Sequence, residues 1–179
     1  MKQIVTAIFL FCALQAGAQN YVPVDAASSV KFNIKNFGLN VTGSFTGLHG
    51  KIVFDPANYK AASFMVTVDA ATVNTGNGSR DGHLKKEEYF NVAGYPKLSF
   101  VSTKITSTGK TGAYNIEGAL TIKGVSKLVV FPFTATAIAN GYQFAGQFKI
   151  NRRDFKVGGS SLVLSDNLTV LLNISANKL

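Results

Sequence analysis

From Val30 onward the chain alternates. Val30, Phe32 and Ile34 are apolar, with Lys31, Asn33 and Lys35 polar between and after them, a period of two that turns one set inward and the other to water. A first strand follows. Residues 36–40 carry Gly38 and break it, and residues 41–47 form a second strand in which Val41, Gly43, Phe45 and Gly47 share one face. Glycine on an apolar face predicts a bulge, a sharp bend or the close approach of another group. Residues 51–55 continue as strand, Asp55-Pro56-Ala57-Asn58 turns, and residues 62–69 return with Phe64, Val66 and Val68 on one side.

The alternation then stops. Residues 75–100, TGNGSRDGHLKKEEYFNVAGYPKLSF, hold the densest cluster of ionisable side chains and one of the two histidines. Residues 74–79 read as a glycine-rich loop, Ser79 or Asp81 as the cap of a short helix with its body at 83–89, and Asp81 and Lys85 lie one turn apart. Packing of Leu84, Tyr89 and Phe90 must hold so short a helix. Gly94-Tyr95-Pro96 ends it, making the segment an insertion between strands that covers one end of a sheet or barrel.

Strands resume at 97–105 and 114–122, where Tyr114, Ile116, Gly118, Leu120 and Ile122 share a face. Lys123-Gly124 turns into 128–137, Asn140-Gly141 is a hairpin signal leading into 142–151, residues 154–161 form a loop, and 168–176 is the last strand. Eight or nine strands with one short helix and no internal repeat predict an all-β antiparallel barrel or sandwich.

Residues 1–18 read differently. Lys2 precedes an apolar run from Ile4 to Leu14, and Ala16-Gly17-Ala18 is a small-residue cleavage site. About eleven apolar residues fall short of the roughly twenty that span a bilayer, so the segment is read as a secretory signal peptide, cut after Ala18. Phe11 before Cys12 argues against lipid attachment at that cysteine. The mature chain, 19–179, then contains no cysteine, is one domain, and is stabilised by burial alone.

Charge narrows the partners. Losing Lys2 lowers the formal net charge from +9 to +8. The lysines are scattered as on a solvated surface; a sharper reading is attraction to anionic lipid surfaces or head groups. Export and the lack of a recognition motif exclude nucleic acid.

Phenylalanine is frequent, fourteen in all, and mostly on strands. The rings either fill an ordinary core or line a lumen, since eight strands enclose a space just wide enough for side chains or one slender apolar ligand. Each buried methylene contributes about 0.8 kcal/mol. A tail of about twenty carbons would therefore supply on the order of 16 kcal/mol gross, against an association cost of roughly 4 to 15.

Reactive chemistry has little support. His49 and His83 lack zinc-ligand spacing, no G-x-S-x-G elbow is present, and Gly76-Asn77-Gly78 does not continue into a dinucleotide fingerprint. Arg80, Asp81 and His83 stand apart: at one helix start they either hydrogen-bond a ligand head group or pin the helix to the barrel rim.

The ordered motifs Asn74-Thr75-Gly76, Arg80-Asp81-x-His83-Leu84, Tyr89-Phe90-Asn91-Val92, Tyr95-Pro96, Phe100-x-Ser102-Thr103, Gly118-x-Leu120-Thr121-Ile122-x-Gly124-Val125-x-Lys127 and Ile150-Asn151-Arg152-x-Asp154-Phe155 resemble the YceI family of bacterial periplasmic proteins across the mature chain. The resemblance departs at Ser28, Ser29 and Asn36, where the family often carries tryptophan and histidine. It implies an extended, eight-stranded, lipocalin-like antiparallel barrel whose lumen holds an isoprenoid or fatty tail.

The resulting expectation is a periplasmic or secreted protein that sequesters or transports a long-chain amphiphile without catalysis, metal or cofactor. Its partners would be a polyisoprenoid, an isoprenoid quinone or a fatty amphiphile, with weak membrane-surface contact and homodimerisation left open. Arg80, Asp81 and His83 are the head-group candidates. Phe32, Ile34, Phe45, Phe64, Val66, Phe100, Ile116, Phe131, Phe133, Phe144, Phe148 and Leu172 are the lumen candidates. The rival is a stress-linked interaction module whose barrel is filled by its own side chains.

Overall fold

The structure is a computed structural model that describes residues 19–179; the segment expected to be a signal peptide, with Cys12, lies outside the described residues. Ten strands follow one another: β1 (Asn20–Pro23), β2 (Ser29–Asn36), β3 (Leu39–Phe45), β4 (His49–Val53), β5 (Ser63–Asp69), β6 (Lys97–Ser107), β7 (Ala113–Ile122), β8 (Val125–Ile138), β9 (Gly141–Asn151) and β10 (Leu164–Lys178). Every pairing is antiparallel, and β1 bonds both β4 and β10. This closes the ring β1-β4-β5-β6-β7-β8-β9-β10 into an eight-stranded barrel, with β2 and β3 continuing it above β1 and β4.

The ten are eight with two breaks. β1 and β2 lie end to end along β10, Pro23 opposite Ala176 and Ser29 opposite Asn173, separated by a turn at Asp25–Ala27. β3 and β4 are separated at residues 46–48. Both breaks are held by one carboxylate: Asp25 accepts from the amides of Gly47 at 3.1 Å and Leu48 at 2.8 Å. Gly47 has a φ of +73°, and a Cβ there would stand 2.4 Å from an Asp69 carboxylate oxygen, so the sharp bend expected at this glycine is present. Gly43 serves close approach instead, because its Cβ would meet the Phe32 ring at 2.1 Å.

The bends determine where the insertion goes. Above Leu48 the chain of β3 no longer pairs with β5, and its free side bonds Asn74 through Ser44. Residues 70–96 run across that gap. Their helix, α1 (Gly78–Leu84), starts earlier than the expected body at 83–89 and is capped by Asn77, whose side chain accepts from the Arg80 amide, and not by Ser79 or Asp81. Asn77 satisfies an orphan donor of the first turn, the role expected of Ser79 or Asp81 for a helix that starts later, and residues 85–94 continue as turns.

Two buried clusters divide the interior. At the end bearing the β8–β9 hairpin, Phe54 is fully buried and makes edge contacts with Phe64, Tyr114, Tyr142 and Phe144 at centroid distances of 6.4, 5.5, 5.1 and 5.2 Å. Edge-to-face packing suits the ring quadrupole and plugs that end. At the opposite end Phe45, Leu48, Val68, Val73, Phe90, Ile150, Phe155 and Val157 form the second cluster, built partly from loops.

Candidate functional site

Between the plug and the loops lies a cavity of about 700 Å³, the room of roughly 20 water molecules at liquid density. Its wall is the inward set of the strands. All twelve lumen candidates border it: Phe32, Ile34, Phe45, Phe64, Val66, Phe100, Ile116, Phe131, Phe133, Phe144, Phe148 and Leu172. Phe64, Phe133 and Phe144 are its floor, shared with the plug, while Phe131 and Phe148 stack at 4.3 Å and 18°. Gly118 makes room for this wall, since a Cβ there would stand 2.5 Å from the Phe100 ring. Water in such a cavity has few polar partners, so its replacement by hydrocarbon is favourable.

Polar groups gather at one end. Thr75, Asn77, Ser79, Arg80 and His83 border the cavity from α1 and the loop before it. Arg80 donates from Nε to Thr75 Oγ1 at 2.6 Å and from a terminal nitrogen to the Thr75 carbonyl at 2.9 Å. The Thr75 hydroxyl donates in turn to Asp81 Oδ1 at 2.6 Å, and that oxygen also accepts from the Thr75 amide. Arg80 and Asp81 are therefore joined through Thr75. Asp81 lies off the cavity, His83 is exposed at its rim, and Arg80 keeps three of its five N–H groups outside these bonds.

A second arginine borders the cavity that side-chain type alone did not mark. Arg152 is 3 % exposed and donates to the carbonyls of Ser165 and Val157, and to Asp166 Oδ1 at 2.7 Å. Arginine is almost never buried unless paired, and here the partner is fourteen residues away, on β10. The signal available in the sequence was the Ile150-to-Phe155 motif, in which Arg152 follows directly on an inward-facing strand.

Loops cover this end by bonding one another. The Glu88 carbonyl accepts from the Gly158 amide at 2.9 Å and from Lys123 Nζ at 3.1 Å, and Lys123 Nζ also reaches the Lys156 carbonyl. The insertion, the β7–β8 turn and the β9–β10 loop are thus one cover. A Cβ at Gly158 would meet Arg152 and Tyr89 at 2.8 Å, so the cover also bears on the buried arginine.

The shifted titrations are elsewhere. Burial, then Tyr142 and Asp55, push the Tyr21 phenol up, and burial with Tyr142, Tyr59 and Asp55 does the same for Tyr114. Both belong to the plug. Among the described residues no three of His, Cys, Asp and Glu come together as a metal site would require, with His49 on β4 and His83 on α1.

The whole of this architecture has relatives. A UPF0312 protein of Ectopseudomonas mendocina is 31 % identical over 97 % of each chain. The crystal structure of Burkholderia cenocepacia BcnA superposes with a TM-score of 0.81 at 27 % identity, covering 85 % of this chain and 98 % of that one. A polyisoprenoid binding domain from Saccharophagus degradans has the same fold, with a TM-score of 0.70 at 16 % identity over 90 % of this chain and 99 % of its own. The YceI-like domain model matches residues 21–176, the barrel from β1 into β10, and the chain belongs to that family.

Proposed function

We propose that the barrel binds a long-chain isoprenoid or comparable amphiphile, without covalent chemistry, its tail in the lumen and its polar end at Arg80 and His83. The observation that carries this reading is the cavity: about 700 Å³, walled mostly by aliphatic and aromatic side chains, stopped at one end by rings, with Thr75, Asn77, Ser79, Arg80 and His83 gathered at the other. Its volume lies within the usual range of ligand sites, roughly 300 to 1,000 Å³. The Saccharophagus degradans domain, described as polyisoprenoid binding, supports the ligand class through a shared fold.

Within this reading the tail sets affinity at about 0.8 kcal/mol per buried methylene. The spare N–H groups of Arg80 and Arg152 favour a head group with acceptor oxygens, such as a quinone, a pyrophosphate or an amide. Asp81 acts indirectly, by holding Thr75 and hence Arg80. The protein works in the periplasm or outside the cell as a carrier or reservoir.

Native mass spectrometry of the 19–179 chain, followed by solvent extraction, tests the proposal. A stoichiometric mass excess that extracts as a quinone, polyprenol or fatty amide is the expected result. The companion variant is Val66→Trp, which fills the lumen and should abolish the adduct while leaving the melting midpoint within a few degrees of the parent. A bare parent that also refuses added isoprenoid overturns the reading.

A further inference from the structure

The rim of the cavity carries side chains that the fold does not use. Phe37 and Leu39, in the β2–β3 hairpin, are each 73 % exposed, and Leu162 is fully exposed in the β9–β10 loop. The two tips touch: the Phe37 amide donates to the Val163 carbonyl at 2.9 Å. Both segments also wall the opening, through Ile34 and Asn36 on one side and Val163 and Leu164 on the other.

Phe37 is out of place by local rules. With Gly38 it forms a turn in which both residues have positive φ, 50° and 76°, a conformation that favours asparagine or glycine and is a genuine outlier for a bulky side chain. An exposed ring held in a disfavoured conformation gains nothing from the barrel's own packing. Charge near the tips is basic: exposed Lys35 stands two residues before Phe37, and exposed Arg153, with Asp166 at 3.9 Å, begins the segment that leads to Leu162, on a chain of formal net charge +9.

We infer that the Phe37–Leu39 hairpin and the Leu162–Val163 loop dock the barrel mouth into the headgroup and acyl boundary of a bilayer carrying anionic lipid. A basic rim with aromatic and leucine side chains at its tips suits that boundary, whereas a protein partner is better met by a broad flat face than by two narrow tips. Continuity with the opening gives the docking its use, and this part rests on the isoprenoid reading above. A tail leaving the membrane between the tips enters the lumen without crossing water.

The test is flotation of the 19–179 chain, which contains the closed barrel whole, with vesicles of phosphatidylethanolamine and phosphatidylglycerol at about three to one. The parent is expected to float with these vesicles and Phe37→Asn/Leu162→Ser to lose at least about tenfold in partitioning. The asparagine suits the turn, so the double variant should melt no lower than the parent and take up isoprenoid from dilute solution equally well. A parent that does not float, or a variant that floats equally, overturns the docking. So does a parent dimer, seen by sedimentation, that the variant loses, because the tips would then serve self-association. Tip-dependent flotation by a parent that takes up no isoprenoid sustains the docking and removes the cargo reading.

Discussion

The two ends of the barrel are built from the same kind of residue and behave in opposite ways. At the plugged end Phe54 leaves β4 and turns into the ring, so strand-borne rings from β5, β7 and β9 meet a central one and no space remains. At the mouth the rings stay on the wall. The middle is left empty and the cover is made by hydrogen-bonded loops around two arginines. Whether a small barrel is solid or hollow thus depends less on how many aromatic residues it has than on whether one of them stands on its axis.

Removing that central ring should have the largest effect. Phe54→Ala leaves the surrounding rings without a partner and is expected to cost about 4 kcal/mol, which lowers the melting midpoint of a domain this size by about 8 to 16 °C. Calorimetry checks it. The comparison predicts more: below its midpoint the variant should still take up isoprenoid, because the mouth is untouched. Loss of uptake in a folded Phe54→Ala would show that the two ends are not independent.

Arg152→Ala strikes the other end. It leaves the Val157 and Ser165 carbonyls without their Arg152 donor and Asp166 with only Arg153, at 3.9 Å, and is expected to cost about 3 kcal/mol in urea unfolding. Hydrogen exchange should locate the loosening in residues 153–165 and leave the β1–β10 seam protected. Uniform acceleration of exchange would mean that Arg152 supports the whole barrel instead.

The smallest effect is confined to high pH. The Tyr114 phenol is raised above its ordinary value of 10 when folded. The folded state therefore holds its proton more tightly than the unfolded state, with no differential below pH 10 and a loss of stability as pH rises beyond it. Tyr114→Phe should melt close to the parent at pH 7 and decline less between pH 9.5 and 11.5. Parallel declines in the two proteins would remove Tyr114 as the cause.

How much of this was legible beforehand follows from range. Alternation is a local signal, and it located nearly every strand and the inward set that walls the cavity. It missed β1, whose four residues end in Pro23 and allow a single repeat of the pattern before Asp25 breaks it. The helix start was misplaced because Asn77 lies between two glycines and reads as a turn, although the same side chain is a good cap. Arg152 was unreadable as a buried group because its burial depends on Asp166 and on two carbonyls brought in by the β9–β10 loop. The plug was equally hidden: nothing near Phe54 in the chain says that it will meet Tyr114 and Tyr142.

The seam between β1 and β10 also sets an order in time. Tyr21 faces Lys178, and the Leu179 amide bonds the Asn20 carbonyl, so the first strand of the barrel is joined to the last. Contacts between such distant positions form slowly, and until they do the sheet is an open trough with two unpaired edges and its phenylalanines in water. Under the proposed function, a hydrocarbon chain present at that stage would be wrapped by the closing wall and would not need to thread a finished mouth. Loading during folding and loading after it are distinct routes, and refolding from urea with and without an isoprenoid would separate them.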